Sequence, residues 1–396
     1  MKKNPITKGL RTWVEIDTKA LKRNFNIFRK LIAPKVQLMA ISKSNAYGHG
    51  LVPYAKNMER FGADWIGVDS IKEALRLREE GVKCPILVLG YTLPENIPLG
   101  ARYSIDLTIS TKEGLSRCAK LIPREKQKLR IHLKIDTGMG RQGFLAEEIV
   151  KITGFLKKNF PKKTISGGYT HFAAAKNPSF PKDTLKQIER FEKTISLLRK
   201  AGFAPLRHAS ATSGTFLFPS AHFDMVRIGI GLYGLWPSKE VQAAYENRIN
   251  LKPALSWKSV VGETKTFPHG SGIGYDLTET LTPGSKIAVC PIGYWHGYPR
   301  SLSSIGKVIV RSKTAKILGR ISMDMIVVDI SSIAGVKAGD EVVLIGGDKG
   351  AEINADQLAF LADTTNYEIV TRINPLIKRI YVLVTLNYET YVKRSF

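Results

Sequence analysis

Ile41-Ser42-Lys43-Ser44-Asn45-Ala46-Tyr47-Gly48-His49-Gly50 follows an apolar run that begins at Val36. The Val and Ile content of that run and its shortness read as a buried parallel strand, and the pattern beyond Gly50 turns helical. A lysine therefore stands where a strand gives way to a loop, the end at which α/β folds carry their chemistry. Kept from bulk water, a lysine has a lowered pKa and forms Schiff bases. Gly48 and Gly50 let the backbone bend closely around a ligand, while Tyr47 offers a hydroxyl and His49 an imidazole. A surface lysine beside a Gly-rich turn would use the same residue types, which alone do not separate the two readings.

Outward from this stretch the chain alternates. Trp13 to Ile16 is strand-like, and Asp17 and Thr18 can cap a helix whose apolar residues Leu21, Phe25, Phe28 and Leu31-Ile32 recur at helical spacing. Strand candidates then fall at Val36–Ser42, Trp65–Val68, Ile86–Leu89, Ile105–Ile109, Ile131–Ile135, Gly167–His171, Arg207–Ser210 and Met225–Ile230. Amphipathic helical patterns such as Ile71–Glu80, Lys112–Leu121, Ala146–Lys158 and Leu185–Lys200 lie between them. Eight β candidates interleaved with helices predict a (β/α)8 TIM-like barrel, assigned to residues 12–240 and close to the usual ~250-residue size. Pro94 and Pro98 exclude a long helix between its third and fourth strands. Past Trp236-Pro237 the runs become β-branched and turn-separated: Ser259–Thr266, Lys286–Cys290, Val308–Val310, Ala315–Leu318, Met325–Ile330 and Val342–Ile345. Two helical segments, Asn354–Ala362 and Tyr367–Ile373, precede a strand around Ile380–Val384. Residues 241–396 thus read as a mostly β domain, with 1–11 a tail or an adjunct of it.

Composition narrows the function classes. The chain carries 60 Lys and Arg against 34 Asp and Glu, a net charge of +26, which would suit a polyanionic partner. The lysines are scattered, however, clustering only as in Lys157-Lys158 and Lys162-Lys163, with no aromatic-interleaved basic motif. A lysine-rich solvated surface is the simpler account, so no nucleic-acid partner is expected. Such a field would also draw in an anionic cofactor and a carboxylate substrate. No apolar stretch approaches the ~20 residues of a membrane helix, and no apolar h-region follows Met1-Lys2-Lys3-Asn4-Pro5. Cys84, Cys118 and Cys290 are odd in number and widely spaced, which argues against a disulfide framework or a zinc site. A cytoplasmic protein without a metal or membrane partner is expected.

The opening stretch resembles the pyridoxal-phosphate attachment motif of the alanine racemase family, valine-any-lysine-alanine-asparagine-alanine-tyrosine-glycine-histidine-glycine. It departs at Ile41 and Ser44. Lys134-Ile135-Asp136-Thr137-Gly138-Met139-Gly140-Arg141 is similar to a second family element, Tyr169-Thr170-His171-Phe172 to a third, and Arg227-Ile228-Gly229-Ile230-Gly231 to a fourth. Ile273-Gly274-Tyr275-Asp276, Pro291-Ile292-Gly293-Tyr294, Gly319-Arg320-Ile321-Ser322-Met323-Asp324 and Asn366-Tyr367-Glu368-Ile369 extend the match towards the C-terminus. The resemblance implies a fold-type III pyridoxal-5'-phosphate enzyme, an isomerase interconverting L- and D-alanine and supplying D-alanine for peptidoglycan.

It also implies residue roles. Lys43 and Tyr275 would be the two catalytic bases, acting on the D- and L-faces of a substrate held as an imine of the cofactor. A phenol needs neighbouring cations to work as such a base. Tyr47, Arg141, His171, Thr212, Arg227, Gly229, Ile230 and Tyr367 would bind the cofactor, Arg227 at the pyridine nitrogen and Tyr367 at the phosphate. Arg141, Tyr294 and Met323 would meet the substrate, and Lys134 would be open to carbamylation. In the resembled family the counterparts of Tyr275 and Met323 come from the partner subunit, so a homodimer is implied.

The sequence departs from the family at Ala211, where asparagine is usual, and at Trp295-His296, where alanine-aspartate is common. Nothing quoted fixes side-chain size, so a serine, lysine or broad-specificity racemase of the same fold fits these residues too. A non-catalytic pyridoxal-phosphate carrier would have the barrel but not the β domain with Tyr275.

Overall fold

The computed structural model describes residues 6–122 and 128–382. Among the described residues, nine strands precede residue 230: β1 (Thr12–Asp17), β2 (Gln37–Ile41), β3 (Trp65–Val68), β4 (Ile86–Val88), β5 (Ile105–Ile109), β6 (Ile131–Lys134), β7 (Ile165–Tyr169), β8 (Leu206–His208) and β9 (Met225–Ile228). The strands β2 to β9 close into a parallel barrel, with β9 pairing back onto β2. Every residue of β4, β5, β6 and β9 is buried, as expected for parallel strands covered on both faces. The helix Lys182–Lys200 buries Thr184, Gln187, Ile188, Phe191, Ile195 and Leu198, one face of a helical period. Between β4 and β5 the prolines open short segments instead of breaking a long one: Pro94 starts a 3-10 turn, and Pro98 lies in the first turn of Ile97–Arg102.

The chain divides into two compact units. One comprises Ala20–Ala46 and Leu51–Pro253; the other takes the described residues up to Lys19, then Tyr47–Gly50, then those from Ala254 onward. The expected ranges, 12–240 and 241–396, differ from this at both edges. Thr12–Asp17 opens no barrel unit, because its backbone pairs antiparallel with Leu255–Val260 and parallel with Arg379–Val382. Residues 241–253 stay with the barrel, where Asn24 donates to the carbonyls of Leu232 and Lys252 at 3.3 and 2.8 Å.

The second unit contains β10 (Leu255–Val260), β11 (Glu263–Thr266), β12 (Ser271–Ile273), β13 (Glu279–Leu281), β14 (Lys286–Cys290), β15 (Lys307–Val310), β16 (Lys313–Leu318), β17 (Ile326–Asp329), β18 (Glu341–Asp348), β19 (Ala351–Ile353) and β20 (Arg379–Val382). The large sheet runs β11-β14-β17-β16-β15-β18-β10-β1-β20, and β12 pairs with β13 as a separate hairpin. That hairpin is seated by Ile273 and Leu281 packing against Ile287 and Leu318. The expected run Ser259–Thr266 is split between β10 and β11, and of the strand expected around Ile380–Val384, residues 383 and 384 lie outside the described ones.

One turn in the barrel unit admits only glycine. Gly234 has φ 85°, and a Cβ there would lie 1.8 Å from the Lys252 carbonyl oxygen. Gly234→Ala is expected to cost about 3 kcal/mol from left-handed strain and overpacking together, seen as a lower urea midpoint at unchanged m-value.

Candidate active site

Lys43 lies two residues past the end of β2 and is half-buried. The Tyr233 hydroxyl donates to the Ile41 carbonyl at 2.7 Å, and its ring stacks on Tyr54 at 4.5 Å, fixing the strand end. Beyond Lys43 the backbone makes a left-handed turn: Ser44, Asn45, Ala46 and Tyr47 have φ of 57°, 54°, 52° and 50°. Each such L-residue costs ~1–2 kcal/mol, and strain of this kind persists where surrounding structure imposes it, often at functional sites. The bend expected at Gly48 and Gly50, with φ of 81° and 99°, is present, and it begins earlier, at four residues that carry side chains.

Inside the barrel, Lys134 on β6 is buried, its ammonium 4.6 Å from the centre of the Tyr169 ring. Burial, then the charges of Arg227 and Arg141, hold its pKa well below the usual lysine value. Arg227 on β9 is buried and donates to the carbonyls of Thr170 and Ala209 at 2.7 and 2.9 Å. It also donates to His208 Nδ1 at 3.0 Å, with His171 Nδ1 at 3.3 Å. Burial lowers its pKa to about 10, so it remains charged at neutral pH. Burial and the Arg227 charge hold both His171 and His208 well below the ordinary histidine range, and both are neutral.

These contacts fix a proton order. Arginine only donates, so His208 Nδ1 accepts and its proton sits on Nε2. That Nε2 lies 2.8 Å from His132 Nδ1, which leaves the His132 proton on Nε2, 3.3 Å from Asp106 Oδ2. Arg130 and Ser166 also reach the fully buried Asp106 carboxylate, at 2.7 and 3.1 Å. Burial opposes ionisation of Asp106, yet the contacts from His132 and Arg130 outweigh it and hold its pKa below the ordinary value. A depressed folded pKa stabilises above the unfolded value of ~3.9 and is lost as pH falls through the folded one. Asp106→Asn is expected to lose about 3 kcal/mol at neutral pH and to lack that part of the acid-induced loss, read by urea unfolding at several pH values.

In the loop after β6, Asp136 Oδ1 accepts the amides of Gly138, Met139 and Gly140, and Oδ2 accepts that of Arg141 at 3.0 Å. The carboxylate thereby shapes the turn that presents Arg141, which is exposed in the barrel unit. His171 lies two residues beyond β7, not at its end as expected, because β7 begins earlier, at Ile165. After β8, the Thr212 hydroxyl accepts the amides of Gly229 and Gly231 at 3.2 and 3.4 Å. Ile230 follows between them in the turn that leaves β9. Ala211, at the N-cap of Thr212–Leu217, supplies no side-chain cap.

The second unit carries the other expected residues. Tyr47 belongs to it, its ring 6.0 Å from that of Tyr367. Burial raises the pKa of Tyr47 to about 12 and that of Tyr367 further, so both hydroxyls keep their protons. Tyr275 sits in the β12–β13 turn and is 67% exposed. The neighbouring Asp276 pairs with Arg320 at 2.8 Å. Tyr294 and Met323 are brought together by backbone bonds from the Tyr294 amide to Ser322 O and from the Trp295 amide to Met323 O, at 3.1 and 3.0 Å. At the unusual His296, Nδ1 accepts the Gly293 amide at 3.2 Å, so this residue serves the turn.

The barrel unit thus gathers Lys43, Lys134, Arg141, His171, Thr212, Arg227, Gly229 and Ile230, and the second unit Tyr47, Tyr275, Tyr294, Met323 and Tyr367. Sequence reasoning gave no role to Asp106, His132 or His208, the last falling within the strand candidate Arg207–Ser210. Polar residues inside barrel strands were the available signal. Among the described residues no group of three or more His, Cys, Asp or Glu is arranged to hold a metal ion. The barrel's donors are cations, a hydroxyl and glycine amides, a set suited to an anionic ligand.

Residues 16–237 match the family described as alanine racemase, N-terminal domain, and residues 254–381 that described as alanine racemase, C-terminal domain. The alanine racemase of Halothermothrix orenii is 39% identical over 375 residues, 93% of this chain and 96% of that protein. Alanine racemase 2 of Bacillus subtilis is 37% identical, over 93% of this chain and 94% of its own length. Among solved structures, the alanine racemase of Bacillus anthracis with bound L-Ala-P superimposes with a TM-score of 0.88 at 34% identity, over 94% of this chain and 95% of that one. The enzyme of D-cycloserine-producing Streptomyces lavendulae gives 0.85 at 33%, over 94% and 97%.

Proposed function

This chain belongs to the alanine racemase family, and from that premise we infer that it interconverts L- and D-alanine. The observation that carries the reading is Lys43, placed past the first barrel strand in a strained turn, within a chain alike to named racemases over more than nine-tenths of its length. Pyridoxal 5'-phosphate is the cofactor this reading assigns, and the donor set fits it. In the barrel unit, Thr212 and the turn at Gly229 and Ile230 suit its phosphate; in the other unit, Tyr47 and Tyr367 keep hydroxyl protons that suit an anion. Arg141 suits its phenolic oxygen.

When bound, pyridoxal phosphate supplies an electron sink for the charge left on an α-carbon that loses its proton. Arg227, charged at neutral pH, would donate to the ring nitrogen without giving it a proton, which would temper that sink and disfavour side reactions. Lys43 would hold the cofactor, and its amine would move a proton at the D-face of the α-carbon. Tyr275 moves one at the L-face, and the two exchange roles with direction. Arg141, the Met323 backbone and Tyr294 bind and orient the substrate.

The depressed pKa of Lys134 favours the neutral amine, which can add to CO2 with release of a proton. The carbamate would pair with the arginines around it, and native mass measurement would register the added CO2.

Tyr275 and Met323 come from a second copy of the chain in this reading. Their exposure, with that of Tyr294, Trp295 and Met325 on the same unit, supports a covered face in a homodimer. The three cysteines are buried free thiols, which suits the cytoplasm, and among the described residues no helix is long and apolar enough to cross a membrane. D-alanine for peptidoglycan is the product's use in this reading.

The test is incubation with L-alanine, L-serine and L-lysine in deuterated water, followed by chiral analysis. D-alanine deuterated at the α-carbon is expected. Inversion of serine or lysine in preference to alanine would reassign the substrate, and inversion of none would remove the racemase reading.

A further inference from the structure

Left-handed backbone at four consecutive side-chain-bearing residues, Ser44 to Tyr47, does not hold itself. On the barrel side, Asn45 Oδ1 accepts the Leu51 amide at 2.9 Å and Ala46 donates to Ser42 O at 2.8 Å. The other end of the turn is gripped by the second unit, to which Tyr47–Gly50 belong. Arg379 on β20 donates through Nε to the Gly48 carbonyl at 2.9 Å. Its remaining nitrogens hold the carbonyls of Ile373, Asn374 and Ile377 at 2.9, 2.6 and 2.5 Å. Two residues on, the Tyr381 hydroxyl donates to His49 O at 3.1 Å, with Gly50 O at 3.4 Å. A Cβ on Gly48 would lie 1.9 Å from the Val370 carbonyl oxygen, so backbone meets backbone there.

We propose that Arg379 and Tyr381 are positioning residues for Lys43: by fixing residues 48–50 they hold the strained turn that sets where the lysine amine points. Charge-assisted bonds from one rigid guanidinium to carbonyls on two separate segments tie the loop to the strand as no single neutral donor would. The proposal rests on the reading of Lys43 as cofactor anchor and base.

The test uses the full-length, cofactor-loaded protein as wild type, Arg379→Lys and Tyr381→Phe. Arg379→Lys keeps the charge but loses the fork, and Tyr381→Phe removes one hydroxyl. Hydrogen exchange in residues 44–51 is expected to quicken by about tenfold in Arg379→Lys and by about fivefold in Tyr381→Phe, with the barrel strand Ile105–Ile109 unchanged. In Arg379→Lys, kcat is expected to fall by about 10–100-fold while KM stays within about twofold, since a misplaced base costs turnover rather than binding. Wild-type exchange at 44–51 in Tyr381→Phe would overturn the proposal, even if Arg379→Lys destabilised the whole sheet. Quickened exchange with unaltered kcat would overturn it as well. Wild-type protein that inverted no amino acid would instead sink the racemase reading, while the exchange measurement would still report on the grip.

Discussion

Lys43→Ala is expected to abolish the visible absorbance of pyridoxal phosphate attached through this amine and to lower racemase turnover by more than about 10³-fold. In the proposed reading both losses would follow from one nitrogen, which would anchor the cofactor and then move a proton on one face of the substrate. Lys134 cannot substitute for it, being buried on β6 over the Tyr169 ring with its pKa depressed. The measurement is an absorbance spectrum beside a chiral assay. Retained absorbance with full turnover would place the chemistry elsewhere in the barrel.

Tyr275→Phe is expected to keep the absorbance and to slow racemisation by about 10²–10⁴-fold, the range for removal of one positioned base. Its sharper signature is directional. With Lys43 alone, D-alanine should still exchange its α-proton in deuterated water without inverting, whereas exchange from L-alanine should stop. Tyr275 is well placed for a role outside its own unit, since the hairpin's core contacts are made by Ile273 and Leu281 while the tyrosine stands exposed. Equal exchange from both enantiomers in this variant would remove the two-base scheme.

Much of this was legible in the sequence. Trp65–Val68 and Ile105–Ile109 appear with the expected bounds, because short apolar runs between amphipathic helices have few other uses. What escaped depends on partners remote in sequence. Thr12–Asp17 reads like the start of an α/β unit, and only its pairing with β10 and β20 assigns it to the other sheet. The line Asp106–His132–His208–Arg227 joins four strands; apart from Arg227, each residue alone looks like an ordinary polar interruption. The left-handed turn was hidden because Ser44 to Tyr47 carry side chains that usually avoid it. The glycines that drew attention do continue the left-handed bend, and Gly48 is needed for a second reason, since backbone there lies too close for a Cβ.

Because β1 is flanked in its sheet by β10 and by β20, a strand made early waits for one made more than 360 residues later. During synthesis every residue of the barrel unit has left the ribosome before Arg379 appears, so that unit can close while the N-terminal strand still lacks a neighbour on one edge. The lysine loop, fastened by Arg379 and Tyr381, would be among the final parts to settle. A nascent chain stalled short of residue 379 should therefore resist protease in its barrel yet be cut at Thr12–Asp17 and around residue 48.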